Sequence, residues 1–268
     1  MIQYNKIEPL NKSLAPYIDS IVRVVGEGHV PSKKIMPKAG ASMTFYFEGE
    51  FSVNGIHFKN ALGGIRERAA QLDASGTSTD ALMVIFTPFG LSRFTNIPMH
   101  ELANVVVDPT DVFGVDADDL YERMGNFPLP YQRVALLEHF LAQRITPPSD
   151  RDIAIFRLTY LLRQSGSTGV LSLARNAIPL GTRQIERRFK STIGVDIGTY
   201  IRICRFEKAH NLMSRFGRMR MTDIGYEAGY YDQSHFTNEF RRMVGVAPTK
   251  YSHCSIPGDF AGSQPAAD

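Results

Sequence analysis

The alternation of apolar and polar residues predicts strands in the first half of the chain. Three segments rich in β-branched and aromatic residues, Ile18–Val25, Met43–Phe47 and Ala81–Phe86, are bounded by turn-forming residues, which is typical of strands. Asn54-Gly55 separates two further short apolar runs. It predicts a hairpin, because both central residues of a type I′ turn need a positive φ.

After these strands, apolar residues recur at the spacing of a helix. This spacing predicts helices at about Met99–Val105, Asp116–Arg123 and Pro130–Ile145. We therefore expect the first half to be an α+β domain, in which a small antiparallel sheet or partial barrel is packed by helices. The aromatic strand residues are explained most simply as core, although they could also line a ligand pocket.

The segment Thr146–Asp150 marks the predicted domain boundary. Its two consecutive prolines disfavour a helix on either side, and the charge balance of the chain changes sign there. We expect a first domain at residues 1–148 and a second at 149–254. Residues 255–268 are rich in Gly, Ser, Pro and Ala, and we expect them to be a disordered tail.

The net charge of +3 conceals two oppositely charged parts. Residues 151–254 contain 17 Lys and Arg against 8 Asp and Glu, a net +9, whereas residues 1–150 contain 13 against 17, a net −4. The tail contributes the remaining −2. A basic part beside a mildly acidic one suggests a polyanion-binding module joined to a part with another task.

The second half of the chain contains an internal repeat. Residues 173–200 recur 51 positions later without a gap, and apolar positions, a glycine and a tyrosine all stay in register. The matched pairs include Leu173 with Ile224, Ala177 with Ala228, Phe189 with Phe240, Gly194 with Gly245 and Tyr200 with Tyr251. This agreement indicates two copies of one supersecondary unit.

Each copy has the pattern of a helix, a tight turn and a second helix. The first copy is expected at Leu171–Ala177 and Thr182–Ser191, and the second at Thr222–Ala228 and Gln233–Met243. A long helix over Asp196–Met213 is expected to join them. The second half is therefore predicted to be an all-α domain of two helix-turn-helix units joined by a long helix.

Local signals set the ends of these helices. Gly229 is expected to end a helix with a positive φ, and Asp196 and Asp232 are expected to accept N–H groups as N-caps. The joining helix is expected to bury Cys204 as a small apolar residue. Cys204 and Cys254 lie too far apart in sequence for a Cys-x-x-Cys metal or redox motif.

The second helix of each unit carries residue types that can read base edges in the major groove of DNA. In the first unit these residues are Thr182, Arg183, Glu186 and Arg187, and in the second they are Gln233, Ser234, Thr237 and Asn238. Seven arginines are expected to contact phosphates: Arg202, Arg205, Arg215, Arg218, Arg220, Arg241 and Arg242. Arg205 could instead pair with a carboxylate between the units. The predicted partner is double-stranded DNA.

Residues 155–251 resemble the AraC/XylS family of transcriptional regulators. The resemblance rests on Arg183-Gln-Ile-Glu-Arg-Arg-Phe-Lys190 with Gly194, and on a second stretch from Ile224 to Pro248 that contains Gly-Tyr-Tyr-Asp-Gln-Ser-His-Phe. Gly181 stands where the family commonly has Ser, the first turn is one residue longer, and a Gly replaces the usual Ala at position 225.

This resemblance implies a transcriptional activator more than a repressor, with RNA polymerase as a partner. It implies base readout by Arg183, Glu186 and Arg187 in the first unit, and by Gln233, Ser234, His235 and Asn238 in the second.

The first half is loosely similar to the sensor domains attached to such regulators. The similarity lies in Pro37–Gly40 before a strand and Pro88–Gly90 after one. Such domains commonly bind an effector, dimerise, or do both, so an unknown small molecule and a second copy of the chain are expected partners. We expect no metal and no other cofactor, because His29, His57 and His100 are scattered.

An enzyme and an effector-independent adaptor are the alternatives. The chain is not expected to be an enzyme, because it contains no Gly-x-Gly-x-x-Gly, Gly-Lys-Ser/Thr or Gly-x-Ser-x-Gly pattern. An adaptor would dimerise through its first half without binding a metabolite. The chain shows no signal peptide and no apolar run of membrane length, so we expect a cytoplasmic protein without membrane contact.

Overall fold

The computed structural model describes residues 2–28, 32–165, 181–215 and 219–251. Within these residues the first half forms one antiparallel sheet of eight strands, which confirms the predicted fold class. The strands are β1 (Ile2–Ile7), β2 (Ile18–Glu27), β3 (Lys33–Ile35), β4 (Ser42–Val53), β5 (Ile56–Phe58), β6 (Asn60–Gly63), β7 (Ala70–Phe86) and β8 (Val106–Val107).

Strands β2, β7 and β4 lie next to one another in the middle of the sheet. β1 pairs with β2 on one side, and β6 and β8 follow β4 on the other. β3 adds to the first part of β7, and β5 adds to the end of β4. The hairpin between β4 and β5 is confirmed: Asn54 and Gly55 have φ values of 51° and 79°, as a type I′ turn requires.

Three α-helices pack on the sheet in the described residues of this half. They are α1 (Thr110–Phe113), α2 (Val115–Gly125) and α3 (Pro130–Ala142). Apolar residues of α2 and α3 share one buried core with residues of β2, β4 and β7. Arg133 of α3 ties its helix to the sheet, because its guanidinium lies 3.8 Å from the centre of the Phe47 ring and donates to Asp80 Oδ2 at 2.7 Å.

The helix predicted at Met99–Val105 is wrong. Only a single 3-10 turn forms, at Met99–Glu101, and strand β8 follows it. The β-branched residues Val106 and Val107 pair with Gly63 and Leu62 of β6, so sheet pairing prevails over helical spacing.

The second half is helical in its described residues. Its helices are α4 (Asp150–Ser165), α5 (Thr182–Ile193), α6 (Ile197–Arg215), α7 (Met221–Glu227) and α8 (Gln233–Val244). They enclose one core that contains fully buried aromatic side chains: Phe189, Tyr200, Phe206, Phe236 and Phe240. The expected joining helix is α6. Helix α4 was not among the predicted elements.

The predicted helix ends are confirmed where the structure describes them. Asp232 accepts the His235 N–H at 2.7 Å, Asp196 accepts the Thr199 N–H at 2.9 Å, and Gly229 has a φ of 91°. Cys204 is buried, and this burial raises the pKa of its thiol to about 12. The predictions for Leu171–Ala177, Arg218, Cys254 and the tail at 255–268 fall outside the described residues.

Candidate nucleic-acid interface

Helix α5 has an apolar side in the core and a polar side in solvent. Ile185 and Phe189, four residues apart, are buried against the other helices of the second half. The side chains that were predicted to read bases are exposed: Thr182, Arg183, Glu186 and Arg187. Residues three and four positions apart lie on one helix face, so these side chains form a continuous polar ridge.

Helix α8 repeats this arrangement at the matching positions. Phe236 and Phe240 are fully buried, as Ile185 and Phe189 nearly are in α5. Three of the predicted base-reading residues are exposed: Gln233, Ser234 and Asn238. Helices α5 and α8 therefore present equivalent polar ridges, in the register that the 51-residue repeat predicts.

Two residues at the start of α8 have partners within their own unit. The Thr222 hydroxyl of α7 donates to Gln233 Oε1 at 2.9 Å, which orients the amide of Gln233. The imidazole of His235 is half-buried, with its centre 5.3 Å from that of the Tyr230 ring, and its Nε2 lies 3.7 Å from Glu239 Oε1. His235 and Thr237, which is also half-buried, are thus less exposed than Gln233, Ser234 and Asn238.

The candidate phosphate-binding arginines fall into two groups. Four are exposed in the structure: Arg215, Arg220, Arg241 and Arg242. Arg202 and Arg205 are half-buried. Arg202 donates to the Thr199 hydroxyl at 2.7 Å, and Arg220 makes a pair of hydrogen bonds with the carboxylate of Asp223. The exposed group lies at the end of α6 and in the second unit, where Arg241 and Arg242 offer positive charge to solvent.

Both candidate recognition helices end against the first half of the molecule. Gly194 ends α5 with a φ of 107°, and a Cβ built there would lie 2.7 Å from Ile65 Cγ2 and 3.0 Å from the Met99 carbonyl oxygen. A glycine is therefore required both by the turn and by the close approach. At the end of α8, the Ala69 N–H and Lys34 Nζ donate to the carbonyls of Met243 and Val244.

An ionic cluster centred on Asp152 of α4 strengthens this contact. Arg93 of the first half donates to Asp152 Oδ2 at 3.4 Å, and Arg188 of α5 donates to Asp152 Oδ1 at 2.8 Å. Burial raises the pKa of the Asp152 carboxyl, but the Ser149 hydrogen bonds, Arg188 and Arg93 outweigh it and hold that pKa below its ordinary value. Sequence reasoning missed this cluster, because helical spacing marks Arg188 only as a polar position.

A cavity of about 180 Å³ lies where the sheet meets α6. Its walls include residues of both halves: Ile35, Leu72, Met83 and Ile85 from strands, and Glu207, His210 and Asn211 from α6. Among the aromatic strand residues, Phe45 and Phe86 are buried in the core, as the simpler interpretation expected, and Tyr46 lines this cavity.

The family models match the two halves separately. Residues 176–253 match the model described as a helix-turn-helix domain, and residues 6–108 match a domain of unknown function, DUF6597. The curated relatives of the second half include AraC-family transcription activators. The C-terminal region therefore matches a helix-turn-helix domain that is similar to the AraC-type domains of these activators.

Several curated relatives of this AraC-type domain are transcription regulators. The F1 operon positive regulatory protein of Yersinia pestis is 36% identical over 69 residues, which are 26% of this chain and 23% of that protein. The transcriptional activator RhaR of Escherichia coli (strain K12) is 26% identical over 130 residues, 48% of this chain and 46% of RhaR. The chain thus spans between about a quarter and a half of the length of these relatives.

Solved structures extend the fold match to nearly the whole chain. ToxT from Vibrio cholerae superposes with a TM-score of 0.50 at 13% sequence identity, covering 93% of this chain and 97% of ToxT. ToxT therefore has the same overall architecture as this chain, including the sheet that precedes the AraC-type domain.

Within the described ranges, no group of three or more His, Cys, Asp or Glu side chains is arranged to hold a metal ion. Among the helices of those same ranges, none has the length and apolar character needed to cross a bilayer.

Proposed function

We propose that this protein is a sequence-specific DNA-binding activator of transcription, whose helices α5 and α8 read adjacent major grooves. The observation that carries the proposal is the pair of exposed polar ridges at equivalent positions of two repeated units. The 19-residue helix α6 that joins the units is about 28 Å long at the usual rise of an α-helix. A spacer of this length suits two helices that enter grooves about 34 Å apart on one face of DNA.

Base readout is assigned to the exposed residues of the two ridges. Arg183 and Arg187 can make paired hydrogen bonds to guanine, Glu186 can accept from cytosine, and Gln233 and Asn238 suit adenine. Thr182 and Ser234 are the remaining exposed candidates for base contacts. His235 is the least favoured candidate, because its ring packs on that of Tyr230. The arginines that flank the ridges position the DNA through phosphates rather than select its sequence.

The proposed division of the chain is a sensor at 1–148, the DNA-binding domain at 149–254 and a tail at 255–268. The start of α4 at Asp150 and the burial of Ile155, Leu158 and Leu162 in the core of the second half support the first boundary. RNA polymerase and a second copy of the chain are the proposed protein partners, in the cytoplasm. No catalytic step is proposed.

Control by a small molecule is the proposed role of the first half. The cavity between the sheet and α6 supports it, because a bound molecule would touch the helix that joins both DNA-reading units. A solved structure of ToxT contains (E)-4-(8-methylnaphthalen-1-yl)but-3-enoic acid. The alternative, an adaptor that only dimerises, predicts that no metabolite raises the melting temperature of the full-length protein.

Replacing Arg187 by Ala is expected to weaken binding to the preferred DNA site by about 1–3 kcal/mol and to relax the base preference there. Gln233→Ala should act similarly at another position. Arg123, exposed on α2, is the matched control, and its replacement by Ala should leave the affinity unchanged. Fluorescence anisotropy with specific and scrambled duplexes measures the effect, and equal losses on both duplexes would remove Arg187 from the readout set.

Replacing Arg241 by Ala is expected to weaken binding to all sequences alike and to reduce the salt dependence of the affinity by about one phosphate contact. The measurement is the slope of log K against log salt for wild type and variant. An unchanged slope together with a lost base preference would reverse the assignment of Arg241.

A further inference from the structure

The cavity between the sheet and α6 has mostly apolar walls. Val53, Leu72, Met83 and Ile85 line it, and its volume is about 180 Å³. An engineered apolar cavity of roughly 150 Å³ is large enough to bind benzene. The cavity can therefore hold a compact apolar body of about that size.

Positive charge predominates among the charged residues that line the cavity. Arg163 is neutralised by Glu207, whose carboxylate lies 3.5 Å from its guanidinium. The guanidinium of Arg66 makes no hydrogen bond or ion pair within the described residues, and its burial lowers the pKa of this group. The backbone of Arg66 forms an antiparallel bridge with that of Lys38, another residue that lines the cavity.

We propose that this cavity binds a compact monocarboxylate, whose apolar body fills the space between the strands and whose carboxylate pairs with the guanidinium of Arg66. The inference rests on the proposed control by a small molecule and specifies the chemical class of that molecule. A neutral ligand of equal shape would leave Arg66 partly desolvated and without a partner, which carries a free-energy cost. A planar guanidinium can instead hold a carboxylate through two parallel hydrogen bonds.

A ligand at this position would act directly on the DNA-binding domain. Glu207 of α6 lines the cavity and also accepts the Ala39 N–H of the first half at 2.9 Å. His210 and Asn211, one turn further along α6, line the cavity as well. A ligand in the cavity would therefore contact α6, the helix that sets the separation of the two recognition helices.

The test compares acids with their own neutral amides on the full-length protein. Phenylacetate and hexanoate are titrated by calorimetry against phenylacetamide and hexanamide, using wild type, Arg66→Met and Arg68→Met. Arg68 is exposed on the same loop and is the matched control. In wild type and Arg68→Met, at least one acid should bind about tenfold or more tightly than its amide, as expected for a charge-assisted hydrogen bond. In Arg66→Met this preference should disappear.

Three results would overturn the inference: equal affinity for acid and amide in wild type, an undiminished acid preference in Arg66→Met, or no binding of either acid. The wild-type comparison decides the matter even if Arg66→Met does not fold. Binding of the same preparations to a preferred DNA site separates the two proposals. Acid binding without any effect on DNA affinity would support this site and contradict the proposed control. Selective DNA binding without acid binding would contradict this site and support the DNA-binding function.

Discussion

Replacing Asp152 by Asn is expected to lower the free energy of unfolding by about 3 kcal/mol. The carboxylate is 8% exposed and pairs with both Arg93 and Arg188, so the neutral amide leaves two guanidinium groups close together without their counter-charge. The estimate is at the low end for a buried pair, because the Arg188 side chain is 38% exposed. Urea unfolding measures the change.

The matched control is Asp150→Asn. Asp150 lies in the same first turn of α4 but is exposed, so its replacement should change the free energy of unfolding by less than about 0.5 kcal/mol. An equal decrease in the free energy of unfolding for the two variants would show that stability depends on the charge at the helix start and not on the ionic cluster.

The same cluster predicts a pH dependence. The pKa of Asp152 in the folded protein lies below its ordinary value, so its stabilisation is complete above roughly pH 4 and is lost as the pH falls through the folded pKa. The difference in stability between wild type and Asp152→Asn should therefore be constant at neutral pH and shrink in acid. A difference that grows in acid would contradict the assignment.

Replacing Phe240 by Ala is expected to lower the free energy of unfolding by roughly 3–5 kcal/mol, the largest effect of any single change considered. Its ring is fully buried, with its centre 5.4 to 5.8 Å from those of Phe206, Phe236 and Tyr251, so truncation opens a cavity at the base of the second recognition helix. Thermal unfolding measures the loss. DNA binding should fall with it, because α8 loses its support.

The control for this change is Tyr231→Ala. Tyr231 is 86% exposed in the turn before α8, so its removal should leave the melting temperature nearly unchanged. A Phe240→Ala variant as stable as Tyr231→Ala would show that the aromatic cluster does not hold the second unit together.

Local rules predicted the features that depend on neighbouring residues. Asn54-Gly55 marked its hairpin, and Asp232 and Gly229 marked the turn of the second unit, because caps and tight turns depend on a few consecutive side chains. The ridge of α5 was predictable for the same reason: buried Ile185 and Phe189 repeat at helical spacing.

Features that depend on distant partners escaped prediction. The first part of β7, Ala70–Thr79, is mostly polar and only partly buried, and it becomes a strand because β3 and β4 pair with it. The contact of Arg188 with Asp152 joins residues 36 positions apart. The unpaired guanidinium of Arg66 is visible only once Lys38 and Glu207 have known positions.

The measurement that tests the account most directly is selection of preferred sites from random duplex DNA by wild type, Arg187→Ala and Gln233→Ala. Two recognition helices in successive grooves should give two groups of preferred base pairs, centred about 10 base pairs apart. Arg187→Ala should erase preference in one group and Gln233→Ala in the other. Loss of the same base pairs in both variants, or an unselective wild type, would contradict the reading of DNA by two repeated units.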